Sequence, residues 1–191
     1  AFMSEDRPPP ARAEAARDGI TDIEFVCADV YALPFADGVA SIVSCGYAVH
    51  HMTDPARALA EMARVLRPGG RVAIVDIVVA EGCDASIQNA IERVRDPSHT
   101  STLTAAQFHT LFEEAGLRLH SESLRDNWLN FDAWMKNAGR VPGDPIYQQV
   151  RDTMERAMNH DTSGFHPRRA DQTGGIEFMH EVVLLVGEKM E

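Results

Sequence analysis

The sequence predicts an α/β fold with a mostly parallel sheet, and three observations support this prediction. Strand-like and helix-like segments alternate along the chain. The run Val72–Val79 is almost continuously β-branched, which is typical of a strand buried on both faces. The 191 residues and their 45% apolar content suit one domain over 1–191 with a sizeable core. Residues 1–10, which end in three prolines, are expected to be extended or disordered.

The first half of the chain contains two predicted helices and two further predicted strands. An alanine-rich helix ends at Asp18-Gly19. The short apolar runs Ile23–Ala28 and Ala40–Cys45 are predicted as strands. Asp54-Pro55 supplies the N-cap and the first residue of a second helix, which we expect to end at Arg67–Gly70 in a type II turn.

The second half contains a capped helix, two more strands and two more helices. Thr104 and Gln107 form a capping box, which predicts a helix start. The remaining predicted elements are, in order, a strand over Leu117–Leu124, helices near Phe131–Ala138 and Pro145–Met158, and a strand over Ile176–Gly187. The aromatic side chains of Trp128, Phe131 and Trp134 have near-helical spacing, and we expect them to pack in the core or under a lid.

Composition argues against several classes of partner. The net charge of −11 and the absence of a basic block disfavour nucleic acid. No run approaches 18 apolar residues and the N-terminus has no apolar signal-peptide region, so no membrane association is expected. Cys27, Cys45 and Cys83 are far apart, which predicts reduced thiols in a cytoplasmic protein instead of disulfides or a thiolate zinc site.

Two predicted strand ends carry the chemically informative residues. In open parallel sheets, ligands bind outside the carboxyl ends of the strands. Asp29 follows one predicted strand, and the sequence S-C-G-Y, Ser44–Tyr47, ends the next. The Asp29 carboxylate could accept a hydrogen bond from a ligand. Spacing alone favours a plainer interpretation, in which Asp29 caps the turn over Val30–Leu33.

Three linked motifs, A-D-V-Y-A-L-P-F, H-H-M-T-D-P and R-V-L-R-P-G-G, stand in this order within Asp22–Asp76. This region resembles the class I S-adenosyl-L-methionine-dependent methyltransferases, and within them the ubiquinone/menaquinone-biosynthesis type. The resemblance implies a Rossmann-like methyltransferase fold with an antiparallel last strand, S-adenosyl-L-methionine as cofactor and a small-molecule acceptor. It also implies that Asp29 receives the adenine amino group, that the Val30 N–H meets the ring edge, and that Cys45 and Gly46 lie along the methionine part.

The chain departs from the family pattern at its glycine-rich loop. Members of the family open with a strand and a G-x-G-x-G turn, whereas none of the 13 glycines here forms a G-x-G. The first two strands of the pattern are therefore not found. We expect an N-terminally truncated enzyme, a rearranged sheet, or association of two chains into a homo-oligomer that covers exposed edges. The alternative function is a non-catalytic remnant of the fold that acts as an interaction subunit.

The adjacent histidines His50 and His51 admit three interpretations. A metal site needs further ligands at suitable spacing, and none is present nearby, so no metal is expected. A histidine can instead act as a base near neutral pH, and His50 is the better candidate for facing the site. Packing or capping of the turn is the plainest role. His99 lies in a segment that resembles one above the family's acceptor pocket, so it is a second candidate, for orienting the substrate.

Overall fold

Five strands form one mixed sheet in the computed structural model, which describes residues 10–190. Along the sheet the order is β1-β2-β5-β3, and the two-residue strand β4 pairs with β5. The strand bounds are Ala40–Gly46 (β1), Leu66–Val78 (β2), Leu117–Asn130 (β3), Arg168–Arg169 (β4) and Ile176–Lys189 (β5). The predicted strands over Ala40–Cys45, Val72–Val79, Leu117–Leu124 and Ile176–Gly187 are therefore confirmed, three of them as longer elements.

Strand directions agree with the predicted antiparallel last strand. β1 is parallel to β2, and β5 is antiparallel to both β2 and β3. β1, β2 and β3 therefore point the same way, although the insertion of β5 leaves β1–β2 as the only parallel pair in the described sheet. The carboxyl ends of these three strands meet at one edge of the sheet, where α/β folds place their ligands.

Seven short helices accompany the sheet, one of them a 3-10 turn. Their bounds are Pro10–Arg17 (α1), Val49–His51 (the 3-10 helix), Pro55–Val65 (α2), Ala85–Arg95 (α3), Ala105–Glu114 (α4), Phe131–Asn137 (α5) and Pro145–Ala157 (α6). α2 and α4 begin as predicted, with Asp54 as N-cap and with the complete capping box of Thr104 and Gln107. The sequence interpretation missed α3, whose N-cap is Asp84.

Two apolar clusters divide the core. The first packs α2 and α4 on the sheet around Leu59, Phe112 and Val183. The second joins α3, α5 and α6 to the start of β5, and includes Phe131 and Trp134. The predicted packing role of these two aromatic residues is confirmed. Trp128 is instead 40% exposed, and the Arg168 guanidinium lies 3.6 Å from the centre of its ring.

The predicted strand over Ile23–Ala28 is wrong, because this segment is extended chain without a ladder. An apolar run becomes a strand only when a neighbour supplies hydrogen bonds. Within the described residues, β1 pairs with β2 alone, and Ile42 on β1 is 70% exposed. The helix predicted to reach Arg67–Gly70 ends at Val65, since β2 already begins at Leu66 and pairs with Ala40.

The expectation for residues 1–10 lies outside the described residues except at Pro10, which opens α1.

Candidate functional site

A histidine–aspartate pair lies where β1 and β2 end side by side. Asp76 interrupts the β-branched run of β2 and is fully buried. Its Oδ1 lies 2.5 Å from Nδ1 of His50, and its Oδ2 accepts the Val49 N–H at 2.7 Å. Because a carboxylate oxygen accepts, the His50 hydrogen sits on Nδ1 and Nε2 keeps its lone pair. This is the arrangement that prepares an imidazole to act as a base.

Sequence reasoning singled out His50 but missed Asp76. The signal was present, since a lone acidic residue inside an apolar strand must find a partner when it is buried.

His99 joins the histidines in space but is held by structural contacts. Its ring centre is 5.6 Å from that of His50, and its side chain is 4% exposed. Nε2 lies 2.7 Å from Oδ1 of Asn89, and that oxygen also accepts the Thr102 N–H at 2.6 Å. Burial, followed by the neighbouring charges, lowers the pKa of His99 to about 4. His99 is therefore neutral at physiological pH, and its role toward a substrate stays a prediction.

His51 serves the loop that follows α3. Its Nδ1 lies 3.0 Å from the Ser98 carbonyl oxygen, and its own carbonyl oxygen accepts the Thr100 hydroxyl at 2.9 Å. The Thr100 and Ser101 N–H groups both donate to the His50 carbonyl oxygen. The 3-10 helix and this loop thereby fix each other, which is the capping role considered for one of the two histidines. Within residues 10–190, no group of three or more metal-ligating side chains is placed to hold a metal ion.

Tyr47, which directly follows β1, has an unusual backbone. Its φ is +50°, in the left-handed region that non-glycine residues rarely adopt. Its N–H donates to the Val75 carbonyl oxygen at 2.7 Å, which ties the strained turn to β2. Strain of this kind concentrates at functional sites.

A cleft of about 320 Å³ opens at the same edge of the sheet. His50 lies on its wall, together with residues from β2, β3, β5, α3 and α5. Its polar lining residues are Tyr47, His50, Glu92, Arg95, Asn127, Asn130, Asn137 and His180, and its apolar ones are Ile77, Leu129, Ala133 and Trp134. The cleft therefore has the few polar groups on an apolar frame that are typical of small-molecule sites.

Asp29 caps the turn that follows it, as the plainer interpretation predicted. Its Oδ1 accepts the Tyr31 N–H at 3.0 Å, and its carbonyl oxygen accepts the Ala32 N–H. The Tyr31 hydroxyl in turn accepts the Thr53 N–H at 2.8 Å, which docks this turn near the start of α2. The Asp29 side chain is exposed, whereas Val30 is half-buried against the first core cluster. Capping through one oxygen leaves room for a ligand contact.

Cys45 and Gly46 end β1 close to the His50–Asp76 pair. Burial, with a smaller contribution from the nearby Asp76 charge, raises the pKa of Cys45 to about 11. Cys45 is therefore a thiol at neutral pH and a poor nucleophile. A Cβ added to Gly46 would meet no atom within 4 Å, so this end of the strand faces open space. The structure thus brings Cys45, Gly46 and His50 together, with the Asp29 turn on the α2 side.

Comparison with known proteins adds direct similarity. Residues 4–74 match a family model described as "Methyltransferase domain". The chain is 31% identical over 136 residues to the uncharacterized methyltransferase YcgJ of Bacillus subtilis, covering 70% of this chain and 53% of that protein. It is 30% identical over 166 residues to the 27-O-demethylrifamycin SV methyltransferase of Amycolatopsis mediterranei, covering 85% of this chain and 59% of that protein.

A solved structure supports the fold over nearly the whole chain. The Bacillus subtilis YcgJ protein superimposes with a TM-score of 0.82 at 28% identity, covering 95% of this chain and 77% of that one. The chain spans 53% of the curated YcgJ sequence and 62% of the Escherichia coli protein YafE.

Fold, site and similarity together define the class I methyltransferases, and this chain belongs to that family. Within the family it is similar to the ubiquinone/menaquinone-biosynthesis group. It is 42% identical over 67 residues to the Bdellovibrio bacteriovorus C-methyltransferase UbiE, covering 35% of this chain and 28% of that protein. Among residues 10–190, no helix has the length and apolar character that a membrane crossing requires.

Proposed function

We propose that this chain carries S-adenosyl-L-methionine-dependent methyl transfer to a small-molecule acceptor, with His50 as the general base. The single observation that carries the proposal is the His50–Asp76 pair, which stands beside Cys45–Gly46 on the wall of a polar cleft. The names of relatives such as the 27-O-demethylrifamycin SV methyltransferase support a small, hydroxyl-bearing acceptor.

The residues present fit the donor that the family implies. The exposed Asp29 carboxylate suits the adenine amino group, and the open space at Gly46 suits a ligand passing along the end of β1. When bound, S-adenosyl-L-methionine supplies an electrophilic methyl group on a sulfonium. Under this proposal Asp29 and Val30 hold the adenine end, while Cys45 and Gly46 border the methionine end.

His50 and Asp76 then act on the acceptor. His50 Nε2 takes the proton from an acceptor hydroxyl as that oxygen becomes the nucleophile. Asp76 holds the ring through Nδ1 and stabilises the imidazolium that results. Most of the remaining rate enhancement in such a transfer comes from holding donor and acceptor in line.

The setting of the protein follows from composition. All three cysteines are unpaired, and the net charge is −11. We infer a single cytoplasmic domain that works without nucleic acid or a membrane.

A non-catalytic interaction subunit is the second candidate function. The observation that favours it is the β1 edge, where Ile42 is exposed and no described strand pairs on the outer side. It predicts association without donor binding.

A comparison of two histidine variants tests the proposal. Transfer of labelled methyl from S-adenosyl-L-methionine to a panel of small phenols is measured for the parent chain, His50→Gln and His51→Gln. We expect His50→Gln to lower the rate by roughly 10²-fold or more. His51→Gln should retain most activity, because His51 serves the Ser98 loop. Equal activity of the parent and His50→Gln would remove the base, and a complete lack of transfer by the parent would favour the second function.

A further inference from the structure

Glu92 on α3 and His180 on β5 face each other in the wall of the cleft. Their side chains are about 2% and 6% exposed, and Glu92 Oε1 lies 3.1 Å from His180 Nε2. Neither atom has an aligned hydrogen-bond partner among residues 10–190. Buried polar atoms of this kind are uncommon, and each calls for a partner that the chain itself does not supply.

Arg95 balances the charge of this pair. Its Nη1 donates to Glu92 Oε2 at 2.8 Å, and its guanidinium lies 4.3 Å from the centre of the Trp134 ring. Burial on its own would raise the pKa of Glu92, but the adjacent His180 and the charge of Arg95 outweigh burial and hold that pKa below its usual value. Glu92 is therefore a carboxylate at neutral pH, and Oε1 is a hydrogen-bond acceptor.

The cleft offers no surplus charge to an ionic ligand. Glu92 and Arg95 are the only Asp, Glu, Lys or Arg side chains among its described lining residues, and they neutralise each other. The remaining wall near them is formed by the rings and chains of Trp134 and Leu129 and by the neutral amide of Asn127, which lies opposite His180 in the β3–β5 ladder. This composition suits a neutral molecule with an apolar body.

The hydrogen-bonding pattern selects the polar group of that molecule. Oε1 of Glu92 can only accept, whereas a neutral His180 that carries its hydrogen on Nε2 can donate. A hydroxyl group both donates and accepts, so it can bridge the two atoms. An ether oxygen cannot donate to Glu92, and a carboxylate would be repelled by it.

We infer that Glu92 and His180 determine acceptor specificity by binding a hydroxyl group of a neutral, apolar-bodied molecule that packs against Trp134. That this hydroxyl belongs to a methyl acceptor rests on the proposed function. Under it, His50 on the same cleft meets a second nucleophilic group of the molecule. The binding of the hydroxyl compound itself requires no methyl donor.

Protein-observed NMR titrations of the 191-residue chain, without donor, test the inference. The probes are catechol, its dimethyl ether and benzoate. We expect catechol to bind about tenfold or more tightly than either of the others, and to shift the His180 ring resonances. Glu92→Gln should weaken catechol binding about tenfold and leave the dimethyl ether unaffected. Glu113→Gln, an exposed substitution on α4, is the matched control.

Three results would overturn the inference. They are equal binding of catechol and the dimethyl ether by the parent, unchanged catechol binding in Glu92→Gln, and no response of His180 to catechol. Should Glu92→Gln fail to fold, as judged by circular dichroism, His180→Gln and the comparison of probes on the parent still decide. Catechol binding as predicted, combined with full methyl transfer by His50→Gln, would refute the proposed base while leaving this inference intact.

Discussion

Burial decides which of the three clustered histidines can exchange protons. The His50 side chain keeps 13% of its surface exposed and holds the Asp76 carboxylate through Nδ1. His99 lies deeper and uses Nε2 to hold Asn89, which fastens the loop before Thr102. The same residue type thus serves as a candidate base at one position and as a neutral structural donor at the other.

The lowered pKa of His99 makes stability depend on pH. In the unfolded chain His99 takes up a proton below about pH 6.5, whereas the folded chain keeps it neutral down to about pH 4. The unfolded state therefore binds more protons in this window, and stability is lost as the pH falls through it. Between about pH 7 and pH 5 we expect this residue to reduce the free energy of unfolding by about 1–2 kcal/mol.

Urea unfolding of the parent and His99→Gln at both pH values measures this effect. The glutamine keeps a side-chain N–H for Asn89 but cannot titrate, so its stability should fall less on acidification. His109→Gln, at an exposed position paired with Glu122, is the control and should follow the parent. Identical pH dependence in the parent and His99→Gln would show that His99 titrates normally.

At the scale of elements, α4 and β5 approach so closely that a glycine is required between them. A Cβ on Gly187 would lie 2.6 Å from Cε1 of Phe112, inside the first core cluster. We expect Gly187→Ala to lower the free energy of unfolding by about 1–3 kcal/mol, because neither the ring nor the strand can move freely. Chemical denaturation measures the difference.

Gly46→Ala is the matched control on another strand. Its added methyl group meets open space, so stability should stay within about 0.5 kcal/mol of the parent. A Gly187→Ala chain as stable as Gly46→Ala would contradict the close packing of α4 on β5.

Elements with strong local signals could be predicted from the sequence, and those that depend on partners could not. The β-branched run of β2 and the caps at Asp54 and Thr104 specify their elements locally. α3 had such a signal in Asp84 but was missed. Ile23–Ala28 has the composition of a strand, yet only a neighbouring strand could make it one.

The candidate site divides in the same way. His50 and the Cys45–Gly46 strand end stand in motifs that resemble the family, so they could be named from the sequence. The partners Asp76, Glu92 and His180 meet only when distant segments pack together, and no spacing in the sequence indicates which buried group faces which.

At the scale of the whole molecule, the outer edge of β1 dominates. Ile42 is 70% exposed on a strand that pairs on one side only within the described residues. Unprotected apolar edges favour association through strand pairing. We therefore expect the 191-residue chain to form oligomers and to bind S-adenosyl-L-methionine weakly, since the chain contains no G-x-G turn.

Light scattering and calorimetry on the parent and Ile42→Lys test this expectation. The lysine should shift the chain toward the monomer, whereas Val141→Lys, at an exposed position away from the sheet, should not. Micromolar donor binding by a monomeric parent would contradict the expectation.

The central claim is that the Asp29 turn and the end of β1 form the donor side of a methyltransferase site. Amide chemical-shift mapping with S-adenosylhomocysteine tests it most directly, since it detects even weak binding and locates it. We predict shifts concentrated at Asp29–Tyr31 and Cys45–Tyr47, with the affinity lowered in Asp29→Ala by the equivalent of about 1–3 kcal/mol. Shifts confined to other surfaces, or equal affinity of Asp29→Ala and the parent, would contradict the claim.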